Sequence, residues 1–228
     1  MTRKDISFDQ KVIRFYRGIR LSTELPWDIK VMNPFKDTDV CAIAGRFFSK
    51  YYHDNAQRTY IFGINPGRFG AGVTGITFTD PVRLETVCGI QNSLEKKQEL
   101  SSVFIYEMIN RYGGPEIFYS RFFLTAVCPL GFTKNGKNLN YYDDPHLEVA
   151  TRNFIMDSIR EQLTFGANRE FAVCLGEGKN YKYFSALNRQ YHFFRELIPL
   201  AHPRFILQYR LRKKEEFINN YLDVLRRI

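Results

Sequence analysis

The sequence predicts an α/β fold in which helices cover both faces of a four-stranded, mostly parallel sheet. Four short apolar runs are typical of buried strands, and each ends in or beside Gly or Pro. Amphipathic helical patterns lie between these runs. Strands that alternate with helices form parallel sheets, because a long crossover must connect one parallel strand to the next. We expect one domain that spans residues 1–228.

The order of the expected elements fits this fold. The strands are Thr59–Asn65, Phe122–Pro129, Glu170–Gly176 and Leu197–His202. The helices are Asp37–Tyr52, Ser101–Tyr112, Pro145–Leu163 with Asp144 as its N-cap, Glu177–Gln190 and Arg210–Ile228. The rest of the first 55 residues also has a mostly helical pattern. Ligands of α/β folds bind beyond the carboxyl ends of the strands, so we expect the functional residues there.

Composition and charge exclude several classes of protein. Hydrophobic residues make up 44% of the 228 residues and charged residues 25%, which indicates a sizeable core rather than disorder. No apolar run approaches about 18 residues, so we expect no membrane span. No apolar segment follows the first five residues, so we expect no signal peptide. The net charge of +9 favours a polyanionic partner, most commonly nucleic acid.

The cysteines indicate a reducing compartment. Cys41, Cys88, Cys128 and Cys174 lie far apart and form neither a CxxC pair nor a zinc-binding pattern. Cys128 and Cys174 lie inside apolar runs, as small buried hydrophobic residues do. We therefore expect a cytoplasmic protein, associated with the nucleoid if the source is bacterial, that needs neither a metal nor a cofactor.

The segment GINPGRFGAGVTGITFTDP, Gly63 to Pro81, places a glycine-rich loop after the first strand. It lacks the GxGxxG and GxxxxGK[ST] patterns of nucleotide-binding loops. A tight connecting turn would explain the glycines but not the polar Asn65 at the end of a buried strand. Gly67 would let the backbone approach a ligand closely.

Three segments together resemble the motifs of the uracil-DNA glycosylase superfamily. The loop GINPGRFGAGVTGITF is similar to the first motif of its single-strand-selective monofunctional branch. FFLTAVCPL, Phe122 to Leu130, is similar to the second-motif strand of that branch, and Ala201-His202-Pro203 resembles the family's His-Pro motif. The motifs occur in the family order and cover roughly Gly63 to Tyr209. The family fold, a three-layer α/β/α sandwich with a four-stranded parallel sheet, agrees with the strand pattern.

The resemblance implies a monofunctional DNA glycosylase of base excision repair. Such an enzyme takes a deaminated base out of the stack, hydrolyses its N-glycosidic bond and leaves an abasic site. Asn65 matches the residue that positions the water, and His202 matches the donor to the carbonyl oxygen of the departing base. Phe78 matches the ring on which the base stacks. Backbone groups near Ile64 and Gly67 would complete the pocket floor.

The sequence departs from the family pattern at positions that affect substrate range. Arg68 stands where the family loop has Pro. Ala126 aligns with the base-reading Asn of the second motif, and Thr125 precedes it; we expect both to contact the base. Gly67 stands where other branches have a Tyr that rejects 5-substituted pyrimidines. The resemblance therefore implies a roomier pocket that accepts uracil and also hypoxanthine or xanthine.

The segment after the His-Pro motif also differs from the family's Ser-Pro-Arg-Asn. We expect Phe205 and Ile206 to fill the gap left by the extruded base, as apolar wedges do. We expect Arg68, Arg204 and Arg210 to contact the DNA. A buried helix start with solvated arginines is the alternative for this segment.

Two rival functions stay open. A non-catalytic nucleic-acid-binding protein with the same fold would need neither Asn65 nor His202. A hydrolase of free nucleosides or nucleotides would need acidic ribose-binding residues and no wedge. We expect a monomer that does not bind membranes and whose partner is DNA, single- or double-stranded, with deaminated bases.

Overall fold

The computed structural model describes residues 6–228. Residues 1–5, which entered the expectation about a signal peptide, lie outside the described residues. The helices are α1 (Phe8–Gly18), α2 (Thr38–Tyr52), α3 (Ala71–Thr74), α4 (Pro81–Thr86), α5 (Leu100–Tyr112), α6 (Pro115–Arg121), α7 (Pro145–Leu163), α8 (Lys179–Tyr191), α9 (Pro203–Tyr209) and α10 (Lys214–Arg227). The strands are β1 (Ile29–Met32), β2 (Arg58–Gly63), β3 (Phe122–Ala126), β4 (Gly131–Lys134), β5 (Lys137–Leu139), β6 (Ala167–Leu175) and β7 (Glu196–Leu200).

A four-stranded parallel sheet in the order β3-β2-β6-β7 forms the centre of the fold. All six residues of β2 are buried, which explains why this strand has no polar alternation in the sequence. The chain runs from β2 to β3 on one side and then crosses β2 to reach β6 on the other. The strand order therefore reverses next to β2, and ligands bind at such a point in open α/β sheets. The α/β prediction is confirmed.

The expected elements are present, with shifts of a few residues at their ends. Helix α7 spans the predicted residues, and the Asp144 side chain accepts hydrogen bonds from two backbone N–H groups of its first turn. Strand β2 ends at Gly63, before Asn65, and β3 ends at Ala126. The residues beyond both strands form the loops of the site.

A second, antiparallel sheet in the order β1-β4-β5 was not predicted. Strand β1 lies in the part of the chain expected to be mostly helical. Strands β4 and β5 form a hairpin whose two turn residues, Asn135 and Gly136, have φ angles of 51° and 70°. An Asn-Gly pair favours this two-residue turn. The hairpin extends the chain across the carboxyl end of β2, where it meets the glycine-rich loop.

A cluster of aromatic residues packs in the core between the sheet and the helices α1 and α2. The Phe8 ring contacts the rings of Tyr52 and Phe123, with centroids 5.5 and 5.2 Å apart. The buried Arg58 guanidinium is 4.8 Å from the Phe8 ring centroid and pairs with Asp54. No helix within residues 6–228 is long and apolar enough to cross a membrane.

Candidate active site

A cavity of about 420 Å³ opens at the carboxyl ends of the central strands. This volume lies in the range of small-molecule sites. The loop after β2, the hairpin, the residue before α5 and the start of α9 contribute to its wall. Eight residues predicted for the site from the sequence line it, six for catalysis or base binding and two for DNA binding: Ile64, Asn65, Gly67, Phe78, Ala126 and His202, with Arg204 and Phe205.

The side-chain amide of Asn65 is held in one orientation by the hairpin. Its Oδ1 accepts a hydrogen bond from the Tyr141 backbone N–H at 3.2 Å. Its Nδ2 donates to the carbonyl oxygens of Leu139 and Pro66 at 3.3 and 3.4 Å. An amide oxygen has two lone pairs, so Oδ1 can accept one more hydrogen bond. The Asn65 oxygen can therefore bind a water molecule at the cavity.

A hydrogen bond orients the imidazole of His202, and burial keeps it uncharged. His202 is the N-cap residue of α9, and its Nδ1 accepts the Arg204 backbone N–H at 3.2 Å. A neutral imidazole with Nδ1 as acceptor carries its proton on Nε2. Burial, with the charge of Arg204 as a smaller cause, lowers the pKa of His202 to about 4. At neutral pH the ring is therefore uncharged and keeps one Nε2–H donor for the cavity.

Phe78 lines the cavity near His202, and its backbone conformation is unusual. Its φ angle is 56°, which is rare for a residue other than glycine and costs about 1–3 kcal/mol. The rings of Phe78 and His202 have centroids 5.9 Å apart. A Cβ atom on Gly63 would lie 2.8 Å from Phe78 Cζ, so the glycine makes room for the ring. This backbone conformation holds the Phe78 ring at the cavity.

Thr125 does not contact the cavity, which corrects the expectation from sequence. Its side chain is fully buried, and its hydroxyl donates to Gln162 Oε1 on the opposite side of the sheet from Ala126. Side chains alternate between the two faces of a strand, so Thr125 and Ala126 cannot both line one cavity. Ala126 is the one that does.

The apolar wedge also needs a correction. Ile206 is fully buried, so it is not available to enter DNA. Phe205 is 41% exposed and lines the cavity, and Tyr209 is 61% exposed and also lines it. The two residues are four apart on α9 and share a face, with ring centroids 5.8 Å apart. Tyr209 and not Ile206 therefore accompanies Phe205 at the rim.

The three predicted DNA-contacting arginines surround this rim. Arg204 lines the cavity, and it also lines a neighbouring groove together with Arg68. The Arg210 guanidinium lies 5.3 Å from the Phe205 ring centroid. All three side chains are exposed at the surface, where they leave a positive potential beside the two aromatic rings.

Sequence reasoning did not find several residues of the cavity wall. Asn138 and Asn140 come from the unpredicted hairpin, and Glu99 comes from the loop before α5. The Asn-Gly turn signal between two short alternating segments could have revealed the hairpin. No periodic pattern surrounds Glu99. Within residues 6–228, no three His, Cys, Asp or Glu side chains are arranged to hold a metal ion.

Comparison with known proteins agrees with this geometry. A family model described as Uracil DNA glycosylase superfamily matches residues 49–226. The crystal structure of wild-type SMUG2 from Pedobacter heparinus matches with a TM-score of 0.94 and 47% sequence identity, over 97% of each chain. None of the curated proteins compared with the chain matches it. The resemblance carried by the three motifs is confirmed. The chain belongs to the uracil-DNA glycosylase superfamily, in its SMUG-like branch, and is a DNA glycosylase that hydrolyses N-glycosyl bonds.

Proposed function

We propose that this glycosylase removes uracil and at least one deaminated purine, hypoxanthine or xanthine, from DNA and leaves an abasic site. The observation that carries the proposal is a fixed amide and a neutral imidazole donor at one cavity whose wall includes Gly67 and Ala126. Neither of these two small residues offers a side-chain hydrogen bond. A site that reads a base through few hydrogen bonds discriminates weakly between bases.

Asn65 positions the attacking water in this proposal. Its oxygen has one lone pair free after the hydrogen bond from Tyr141, and its orientation is fixed by the hairpin. An amide does not take up a proton at neutral pH, so Asn65 contributes position rather than general-base power. We expect slow turnover, because an amide that positions the water cannot also activate it by taking its proton.

His202 and Phe78 hold the departing base. As the C1′–N bond breaks, its electron pair moves to the base, and the sugar becomes oxocarbenium-like until the water oxygen bonds to C1′. The proton that this water loses goes to solvent, and the anionic base takes up a proton from solvent. The Nε2–H of His202 donates to a carbonyl oxygen of the base and stabilises the developing negative charge. Stacking of the base on Phe78 contributes about 1–3 kcal/mol. No lysine of the described residues lines the cavity, so the reaction is hydrolysis without an amine nucleophile.

The rim of the cavity binds the DNA strand. Phe205 and Tyr209 fill the gap that the extruded base leaves. Contact between their rings and the neighbouring bases offsets the free-energy cost of unstacking. Arg68, Arg204 and Arg210 contact phosphates, which makes binding weaker at higher salt. We infer that one domain performs all of these steps as a monomer.

A substrate panel tests the proposal. Labelled oligonucleotides that each contain one uracil, hypoxanthine, xanthine or 5-hydroxymethyluracil are incubated with excess enzyme, single-stranded and paired, and abasic sites are cleaved with alkali. We expect cleavage at uracil and at one or both deaminated purines. The Asn65→Ala variant is the control for a contaminating glycosylase. Strict uracil specificity would contradict the relaxed range, and no cleavage of any substrate would contradict the catalytic assignment.

A further inference from the structure

The carboxyl group of Glu99 occupies the space beside two glycines of the loop after β2. A Cβ atom on Gly67 would lie 3.0 Å from Glu99 Oε1, and a Cβ atom on Gly70 would overlap Oε2 and lie 2.6 Å from Cδ. Any side chain at Gly70 would thus displace the carboxyl group. Glu99 lines the cavity itself, so these glycines admit an acidic side chain to the wall beside the base.

The carboxyl group of Glu99 lacks a polar partner among the described residues. Within residues 6–228, no hydrogen bond or ion pair joins it to another side chain or to the backbone. The backbone N–H of Glu99 donates to Oδ2 of the buried Asp80 at 2.9 Å, which brings a second carboxylate close to it. A half-buried acid at a ligand cavity that lacks an internal partner is free to bond to the ligand.

Among the described residues, charged groups of four segments lie around Glu99. Asp80 is the N-cap residue of α4, and Arg204 lies at the start of α9. Arg68 of the glycine-rich loop and Lys137 of β5 line the adjoining groove, which Glu99 shares. Burial, followed by repulsion from Asp80, raises the pKa of Glu99 to about 7, while Arg204 opposes the shift. A substantial fraction of the group is therefore a neutral acid at neutral pH.

We propose that Glu99 is a specificity-determining residue whose protonated carboxyl group donates a hydrogen bond to N7 of an extruded deaminated purine. The inference rests on the proposed function, in which the base lies against the backbone of Gly67. A purine carries the acceptor N7 on its Hoogsteen edge, where uracil has only the C5–H group. A protonated carboxyl group can donate to that nitrogen, whereas a carboxylate cannot. Glu99 thus favours purines through an atom that uracil lacks. The release of uracil does not depend on this hydrogen bond.

The first test compares Glu99→Ala and Glu99→Gln in single-turnover assays on hypoxanthine and uracil. We expect Glu99→Ala to slow hypoxanthine release by about 10- to 100-fold, the scale of one lost hydrogen bond, and to change uracil release by less than about threefold. Glu99→Gln keeps an N–H donor and restores most hypoxanthine release. Glu95→Ala is the matched control, because Glu95 belongs to the same loop, is exposed and does not line the cavity.

The pH profile separates this role from a structural one. A group with a pKa of about 7 is mostly protonated at pH 6 and mostly ionised at pH 8. Hypoxanthine release should therefore fall by about tenfold between these pH values, whereas uracil release and the Glu99→Gln variant should show no such fall. Hypoxanthine is the probe because xanthine itself ionises in this range.

A substrate analogue tests the contact directly. Replacing N7 of hypoxanthine by C–H, in 7-deazahypoxanthine, should slow release by wild type more than release by Glu99→Ala, because only wild type loses the hydrogen bond. Two outcomes would overturn the role of Glu99 but leave the proposed function intact. One is an equal effect of the analogue on both enzymes, and the other is an equal loss of uracil and hypoxanthine release in Glu99→Ala. A wild type that releases no purine would overturn the proposed purine range and the inference with it.

Discussion

Replacing His202 by Asn and by Ala should separate its role in catalysis from its role in the fold. The His202 side chain caps α9 through Nδ1 and lines the cavity, so we expect its Nε2–H to be the donor to the base. Asn is among the best N-cap residues, and its short side chain can accept the same backbone N–H. It cannot place a donor where Nε2 lies. Ala removes both the cap and the donor.

The magnitudes follow from these two interactions. Loss of one donor to a developing oxyanion lowers the rate by about 100- to 1,000-fold. Both variants should therefore release uracil at least about 100-fold more slowly than wild type. Loss of the cap costs about 1 kcal/mol, which lowers the Tm of a chain of this size by about 2–4 °C. Only His202→Ala should show that fall in Tm.

Single-turnover uracil release with excess enzyme measures the chemical step, and thermal unfolding followed by circular dichroism measures the Tm. DNA affinity, measured by fluorescence anisotropy, should change little in either variant. A His202→Asn enzyme with a rate near that of wild type would refute the assignment of Nε2–H as the donor. A large fall in Tm for both variants would refute the cap argument.

Four further outcomes are expected. Asn65→Ala should release uracil at least about 100-fold more slowly, because the water loses its position, and a near-normal rate would contradict that role. Asn65→Asp should unfold at lower temperature than Asn65→Ala, because a carboxylate oxygen would face the Leu139 and Pro66 carbonyl oxygens; an equal Tm would count against the fixed amide. The rate of uracil release by wild type should not change from pH 6 to pH 8, since the lowered pKa of His202, about 4, keeps the ring neutral across this range. A change in rate near pH 6.5 would show a titrating imidazole. Borohydride should trap no covalent adduct with uracil-containing DNA, because no described lysine lines the cavity, whereas a trapped adduct would show an amine nucleophile.

The pocket itself offers one more test, the substitution Gly67→Tyr. The new side chain would start 3.0 Å from Glu99 Oε1 and 3.5 Å from Asn138 Nδ2, so its ring must turn into the cavity. We expect loss of excision of every base, measured on the same substrate panel. Retained purine excision would show that the base does not lie against Gly67.

The elements with strong local signals could be predicted from the sequence. Helix α7 has an Asp cap, a Pro in its first turn and apolar residues at helical spacing, and its predicted bounds are those observed. Each of the four core strands contains a short apolar run, as buried parallel strands do. Asn65 and His202 could be placed because each follows such a strand inside a recognisable motif.

The remaining features depend on information that a linear pattern does not contain. Thr125 and Ala126 are neighbours in β3, and only the pairing of the strand decides which of them faces the cavity. Phe205 and Ile206 are neighbours in α9, and the packing of that helix decides which is buried. Glu99 reaches the site through a loop without periodicity, and only the close approach of Gly70 identifies its position.

The strand order has a consequence for the synthesis of the enzyme in the cell. Tyr60 of β2 pairs with Ala172 of β6, about 110 residues later in the chain, and β7 joins only beyond β6. At about 5–20 residues per second, a ribosome needs on the order of ten seconds to supply that partner. Strand β3 can pair with one edge of β2 earlier, but until β6 is made the other edge of this apolar strand has no partner, and such an unpaired edge binds chaperones and aggregates readily. Asn65 follows β2 and His202 follows β7, and β6 lies between these two strands. The two residues therefore come together only when β7 pairs with β6, so the nascent enzyme has no activity before its sheet is complete.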